Sequence, residues 1–249
     1  MKKQKSKGKR LLIICVLVVA SAIFINNKTA SNETALPSVF NEGGSEKTYS
    51  VIKKDKNSKY KGTGQEKVFG EQGYFTTFTT DNGKTYKEYK MNGSAPWKNN
   101  EYWNETMENS GCGITSMSII LSAYGKKDTP ENLRKKYFPC MNYENLPEEL
   151  KKSYGIKTNG FYYDTEHLSK DYIKNHLKKD KPVLICVWNV PAENRWTSAS
   201  HYMALLATDG DKMVYVSNPN GGENDSKSSG WYNFDEVVPY IAKALYVES

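Results

Sequence analysis

A cysteine bracketed by glycines at the head of an apolar run is the stretch with the clearest chemical potential. Ser110-Gly111-Cys112-Gly113-Ile114-Thr115-Ser116-Met117 leads into Ser118-Ile119-Ile120-Leu121-Ser122-Ala123-Tyr124 and stops at Gly125. Ile114, Met117, Leu121 and Tyr124, with Ile120 beside them, fall at helical spacing, and Gly125 followed by two lysines is a helix stop. Cys112 therefore starts a helix, where unpaired N–H groups and the positive end of the helix dipole favour a thiolate. Gly111 and Gly113 leave room for a close approach to the sulfur. The same residues also suit a small buried core cysteine, so the reading depends on partners elsewhere.

A thiol nucleophile needs an imidazole to take its proton and return it to the leaving group. The chain has three histidines. His167 and His176 lie in a lysine-flanked helical region and read as solvated surface residues. His201 opens the apolar strand Ser200-His201-Tyr202-Met203-Ala204-Leu205-Leu206 after a polar loop, and is the base by elimination. Orienting its second ring nitrogen calls for an amide oxygen or a carboxylate. A hairpin turning near Gly210 puts Asn218, at the start of Asn218-Pro219-Asn220, roughly opposite His201. Asn220 is a second candidate for that role, and Asn218-Pro219 also reads as a plain turn initiator.

The elements that position these groups follow from periodicity and punctuation. Residues 74–80 and 84–89 predict a β-hairpin with a type I′ turn at Asn82-Gly83. Residues 91–111 predict a loop with Trp97, Tyr102 and Trp103. These aromatics either pin the loop to the core or, as Trp97 and Trp103, wall a substrate groove ahead of Cys112. Helices are expected over 131–137, capped by Thr129-Pro130, and over 146–154, 170–178 and 235–242. Strands are expected over 160–163, 183–188, 201–208, 213–217 and 245–247. Helices first and an antiparallel sheet after them predict an α+β fold, with the Cys112 helix packed on the sheet.

With these residues assembled, the chain resembles exported bacterial cysteine peptidases of the bacteriocin-leader (double-glycine) peptidase-like family, which have the papain-like fold. Ser-Gly-Cys-Gly-Ile-Thr-Ser-Met at 110–117, His-Tyr at 201–202, Asp-Gly-Asp at 209–211 and Val-Ser-Asn-Pro at 216–219 carry the likeness, over about residues 89–247. It implies Cys112 as nucleophile, His201 as general base and acid, and position 218 as the orienter. Two positions depart from the family pattern. Asn218 stands where members usually have Asp, a competent replacement. Met91 stands where a Gln that helps to stabilise the oxyanion is expected, and Met donates no hydrogen bond; Asn92 substitutes after a one-residue shift, or the Cys112 N–H acts with another donor.

Of the 249 residues, 2–10 carry Lys2, Lys3, Lys5, Lys7, Lys9 and Arg10 with no acid, and Leu11–Ile25 is apolar. That predicts a signal peptide or an N-terminal membrane anchor over 1–25, a polar linker over 26–66, and a domain over 67–249. The formal charge of +7 comes almost wholly from the export segment: without residues 1–22, 29 basic side chains face 28 acidic ones. The charge therefore gives no argument for nucleic-acid binding. Outside the segment 1–25, which holds Cys15, the three cysteines Cys112, Cys140 and Cys186 are too few and too oddly numbered for a disulfide scaffold, and Cys140 with Cys186 read as unpaired. No Cys-x-x-Cys or His-x-x-x-His supports a metal site, and no cofactor is expected. The expectation is an exported, monomeric cysteine peptidase, secreted or held at the outer face of the membrane or cell wall, acting on peptides. An amidase or transpeptidase of cell-wall peptides would use the same site, and a catalytically inactive peptide- or wall-binding domain is the alternative that Met91 favours.

Overall fold

The computed structural model describes residues 68–70, 73–93, 95–188, 195–220 and 227–248, all within one unit, Thr48–Ser249. The expected signal peptide or anchor over 1–25 and the expected linker over 26–66 lie outside the described residues. No helix among the described residues is long and apolar enough to cross a membrane.

The chain enters through a three-stranded antiparallel sheet, β1 (Val68–Gly70), β2 (Gly73–Thr79) and β3 (Thr85–Tyr89). Its β2–β3 turn differs from expectation. Gly83 alone takes positive φ (83°), and its N–H bonds the Thr80 carbonyl at 3.0 Å. Asp81-Asn82 thus form the centre of a type I turn, and Gly83 supplies the left-handed residue of a bulge. The loop that follows contains a small hairpin, β4 (Glu101–Tyr102) and β5 (Glu105–Thr106), and a short helix, α1 (Met107–Ser110). Here Trp103 and Asn104 both have positive φ (53° and 59°), as a type I′ turn requires, although neither is glycine.

The Cys112 helix, α2 (Cys112–Ser122), is buried almost all round. It ends in a Schellman pair, Lys126 N–H to Leu121 O at 3.2 Å and Gly125 N–H to Ser122 O at 3.2 Å, with Gly125 in the left-handed region. Thr129 caps α3 (Pro130–Lys136) through Asn132 N–H at 3.2 Å. After α4 (Leu146–Tyr154), β6 (Thr158–Tyr162) and α5 (Lys170–Leu177), the chain builds most of a six-stranded antiparallel sheet from β7 (Val183–Trp188), β8 (Ser200–Asp209), β9 (Met213–Ser217), β10 (Gly230–Asn233) and β11 (Ile241–Val247). Its strand order is β10-β9-β8-β7-β11-β6. The helix expected over 235–242 is instead two short 3-10 turns, Phe234–Glu236 and Val238–Tyr240, followed by β11. Val237, Val238, Ile241 and Pro239 disfavour a helix there, and from Ile241 pairing with β7 satisfies the backbone instead.

The large sheet divides the core. Leu184, Ala204, Leu206, Leu245 and Val247 pack on one face with α2 and the three-stranded sheet. Val183, Ile185, Val187, Met203 and Leu205 pack on the other with α5 and the 3-10 turns. Phe78 stacks on Tyr215 at 3.7 Å, and the Tyr215 hydroxyl donates to buried Glu88 at 3.0 Å, joining the two sheets. His176 is not a surface residue: it is buried and Nε2 meets the Val247 carbonyl at 2.9 Å. His167 is half-buried, stacked on Tyr162 and bonded to Asp164. Both histidines serve the fold.

Candidate functional site

Cys112 is the first residue of α2, with Gly111 as its N-cap. Gly113 has a strict reason to be glycine: a Cβ there would lie 1.7 Å from the Tyr143 hydroxyl. Tyr143 thus covers the helix start, and it stacks on Tyr202 with ring centroids 4.5 Å apart. The Ser116 hydroxyl donates to the Tyr202 carbonyl at 3.1 Å, fastening α2 to β8. Burial pushes the Cys112 thiol above its ordinary pKa, and the backbone amides of Tyr202, Gly113 and Cys112 itself pull it down only in part. Desolvation therefore outweighs the thiolate preference of the helix N-terminus.

His201 is buried at the start of β8, beside Val187 on β7. Its Nε2 lies 2.7 Å from Asn218 Oδ1. That oxygen can only accept, and it also receives the Asn220 N–H at 2.9 Å, while Asn218 Nδ2 donates to the Lys227 carbonyl at 2.9 Å. Nε2 must then carry the proton, which leaves Nδ1 of the neutral ring as the basic nitrogen. Burial, above all, lowers the His201 pKa to about 4; the Asn218 bond opposes this, and the positive charges of Lys227 and Lys90 add to it. The register sets Ala204 against Ser217, with a bulge between Leu205 and Ala207, so His201 and Asn218 are offset rather than directly opposed. The Asn218 side chain spans the offset.

Three consecutive residues after β3 hold the Asn218 loop. Lys90 Nζ donates to the Asn218 carbonyl at 2.8 Å, Met91 N–H to the Pro219 carbonyl at 3.0 Å, and Asn92 Nδ2 to the Asn220 carbonyl and side chain at 3.1 and 2.9 Å. Asn92 spends both amide hydrogens on Asn220, so it is a loop clamp with no donor left for an oxyanion. Met91 is buried beside it. Trp97 is an anchor rather than a groove wall: it is buried, and its Nε1 donates to the Lys90 carbonyl at 2.8 Å. Trp103 is 45% exposed and stays at the surface ahead of Cys112. Lys90, Tyr143 and Tyr202 were not singled out as site residues from sequence. The His-Tyr pair flags Tyr202 by adjacency, whereas nothing local marks Tyr143 or Lys90. Cys112, Cys140 and Cys186 are free thiols, and no cluster of three metal-binding side chains occurs among the described residues.

A helix that begins at a cysteine, laid against an antiparallel sheet whose strand begins at an asparagine-bonded histidine, is the layout of the papain-like α+β class. Residues 95–241 match the Peptidase C39 like family, and the chain belongs to it. The match makes the chain a member of a peptidase-like family. No match is found among curated proteins. A solved structure similar to this chain is a Bacillus anthracis protein assigned as a C39-like peptidase, at 15% identity, covering 56% of this chain and 88% of that one with a TM-score of 0.41.

Proposed function

We propose that the protein is an exported cysteine peptidase that hydrolyses peptide bonds through Cys112, His201 and Asn218. The observation carrying this reading is the 2.7 Å bond from His201 Nε2 to Asn218 Oδ1, which frees Nδ1 as base one residue from Tyr202, whose backbone amide faces the Cys112 sulfur. In this mechanism Nδ1 takes the thiol proton as sulfur attacks the substrate carbonyl carbon. The imidazolium returns the proton to the departing amine, leaving a thioacyl enzyme. Water, deprotonated by the same nitrogen, then releases the acid. Because the thiol is raised and the imidazole lowered, the resting pair is neutral, and charge develops only during attack. The oxyanion is met by the Cys112 N–H at the helix start. Met91 cannot donate, Asn92 is occupied by Asn220, and the Tyr143 hydroxyl is hydrogen-bonded to that of Tyr102, so the helix-start amide carries this role.

The basic and apolar N-terminal segment supports export, either secreted or anchored at the outer face of the membrane, with peptides, including those of the cell wall, as substrates. Incubation of the full chain with a peptide library, followed by mass spectrometry, should give cleavage that Cys112→Ala and His201→Gln each abolish. Cleavage that persists in Cys112→Ala would refute the mechanism. Met91 favours a second reading, an inactive domain that binds peptides. Under it the library is retained on the immobilised chain and never cut.

A further inference from the structure

Lys243 stands on the face of the large sheet that packs against α2. It follows the same alternation as Leu245 and Val247, and it is the cation of a row that crosses four strands. Lys243 pairs with Cys186 on β7, Cys186 pairs with Tyr202 on β8, and Tyr163 follows the end of β6 on the other side. The ammonium sits 4.9 Å from the Phe161 ring centroid, 5.4 Å from Tyr202 and 6.0 Å from Tyr163. Three rings hold a half-buried cation, and no carboxylate among the described residues forms an ion pair with it. Glu144, the acid whose charge reaches Tyr163, is exposed and is not paired with Lys243. The cage is open, because Tyr163 is 63% exposed.

Tyr202 joins this cation to the nucleophile. Its ring faces Lys243, and its backbone amide faces the Cys112 sulfur. Burial raises the neighbouring Cys186 thiol to about 11 while the Lys243 charge pulls it down, so the field of Lys243 is felt along the row. A cation held by ring faces alone keeps its capacity for a charge-assisted hydrogen bond to an anion, and low-dielectric walls strengthen that attraction.

Resting on the reading of Cys112 as nucleophile, we infer that Lys243, with Tyr163, Phe161 and Tyr202, is a specificity site for a carboxylate of the peptide substrate close to the scissile bond. The carboxylate comes from an acidic side chain or from a free C-terminus. The site favours acidic over neutral peptides.

Two alkylating reagents of the same size but different charge test this without a known substrate. In the full chain at pH 8, the iodoacetate-to-iodoacetamide rate ratio is measured at Cys112 by peptide mass mapping, with exposed Cys140 as internal reference. The ratio at Cys112 should exceed that at Cys140 by about threefold or more, fall to the Cys140 value in Lys243→Met, and be retained in Lys243→Arg. In a second arm, N-acetyl-Ala-Glu-amide, N-acetyl-Ala-Gln with a free C-terminus and neutral N-acetyl-Ala-Gln-amide compete with iodoacetamide. One or both carboxylate peptides should protect Cys112 better than the neutral one, and which of them does so identifies the carboxylate. A ratio unchanged by Lys243→Met, or equal protection by all three peptides, overturns the carboxylate site while leaving Cys112 a reactive thiol. Inertness of Cys112 to both reagents overturns the site together with the reading on which it rests.

Discussion

Replacing His201 with glutamine should change how stability depends on pH, by an amount the structure sets. The imidazole titrates near 6.5 in an unfolded chain and at about 4 in the fold, chiefly because burial disfavours its charged form. Between those values the unfolded chain binds the proton and the folded chain does not, so stability is complete above pH 6.5 and is lost as the pH falls toward 4. The shift amounts to about 3 kcal/mol over the whole window, of which about 2 kcal/mol is lost between pH 7 and pH 5. Buried His176 is shifted in the same direction, so the wild-type slope alone does not isolate His201; the difference between proteins does. Urea unfolding followed by tryptophan fluorescence, at pH 7, 6 and 5, gives that difference. Whatever the substitution costs at pH 7, the stability gap between wild type and His201→Gln should move by about 2 kcal/mol in favour of the variant by pH 5. Parallel pH dependences would refute the assignment of His201 as a buried neutral base. A gap that moves the opposite way would show a histidine stabilised as a cation, already paired with a thiolate.

Further consequences can be measured on the same protein. Gly113→Ala places a methyl group 1.7 Å from the Tyr143 hydroxyl and should cost about 1–3 kcal/mol in urea unfolding, with much of the loss recovered in the double variant with Tyr143→Ala. Asn218→Ala should cost activity by releasing the His201 ring and leaving its buried N–H without an acceptor, and a rate equal to wild type would show that the ring is held by other means. Lys90→Met removes a positive charge that disfavours the imidazolium, so the acid limb of the kcat/KM profile should move to higher pH. An unmoved limb would exclude that influence.

Much of the site was legible in the chain because its signals are local. The glycine-bracketed cysteine and the apolar spacing after it fix a helix that starts at Cys112, whatever that helix packs on. Likewise, the apolar runs at 201–208 and 213–217, joined by the turn at Asp209-Gly210-Asp211, fix two neighbouring strands, and so bring His201 close to Asn218. What escaped was decided at a distance. Residues 235–242 have an apolar pattern that a helix could use, but Pro239 leaves only two 3-10 turns, and the edge of β7 takes the chain as a strand from Ile241. His176 sits among lysines, yet the way α5 lies on the sheet buries its ring against Val247. Asn92 and Trp97 could each have lined a groove; clamping the Asn218 loop and filling the core took them instead. Sequence by itself determined the candidate residues Cys112, His201 and Asn218 and the helix and strands that carry them, because those depend on neighbours a few residues away. Only the tertiary structure decided the electrostatics: which charges face the imidazole, how far burial shifts thiol and ring, and that Lys243 shares a row with Tyr202. These depend on residues tens of positions apart, and more than a hundred in the Lys90–Asn218 contact, and no local pattern records them.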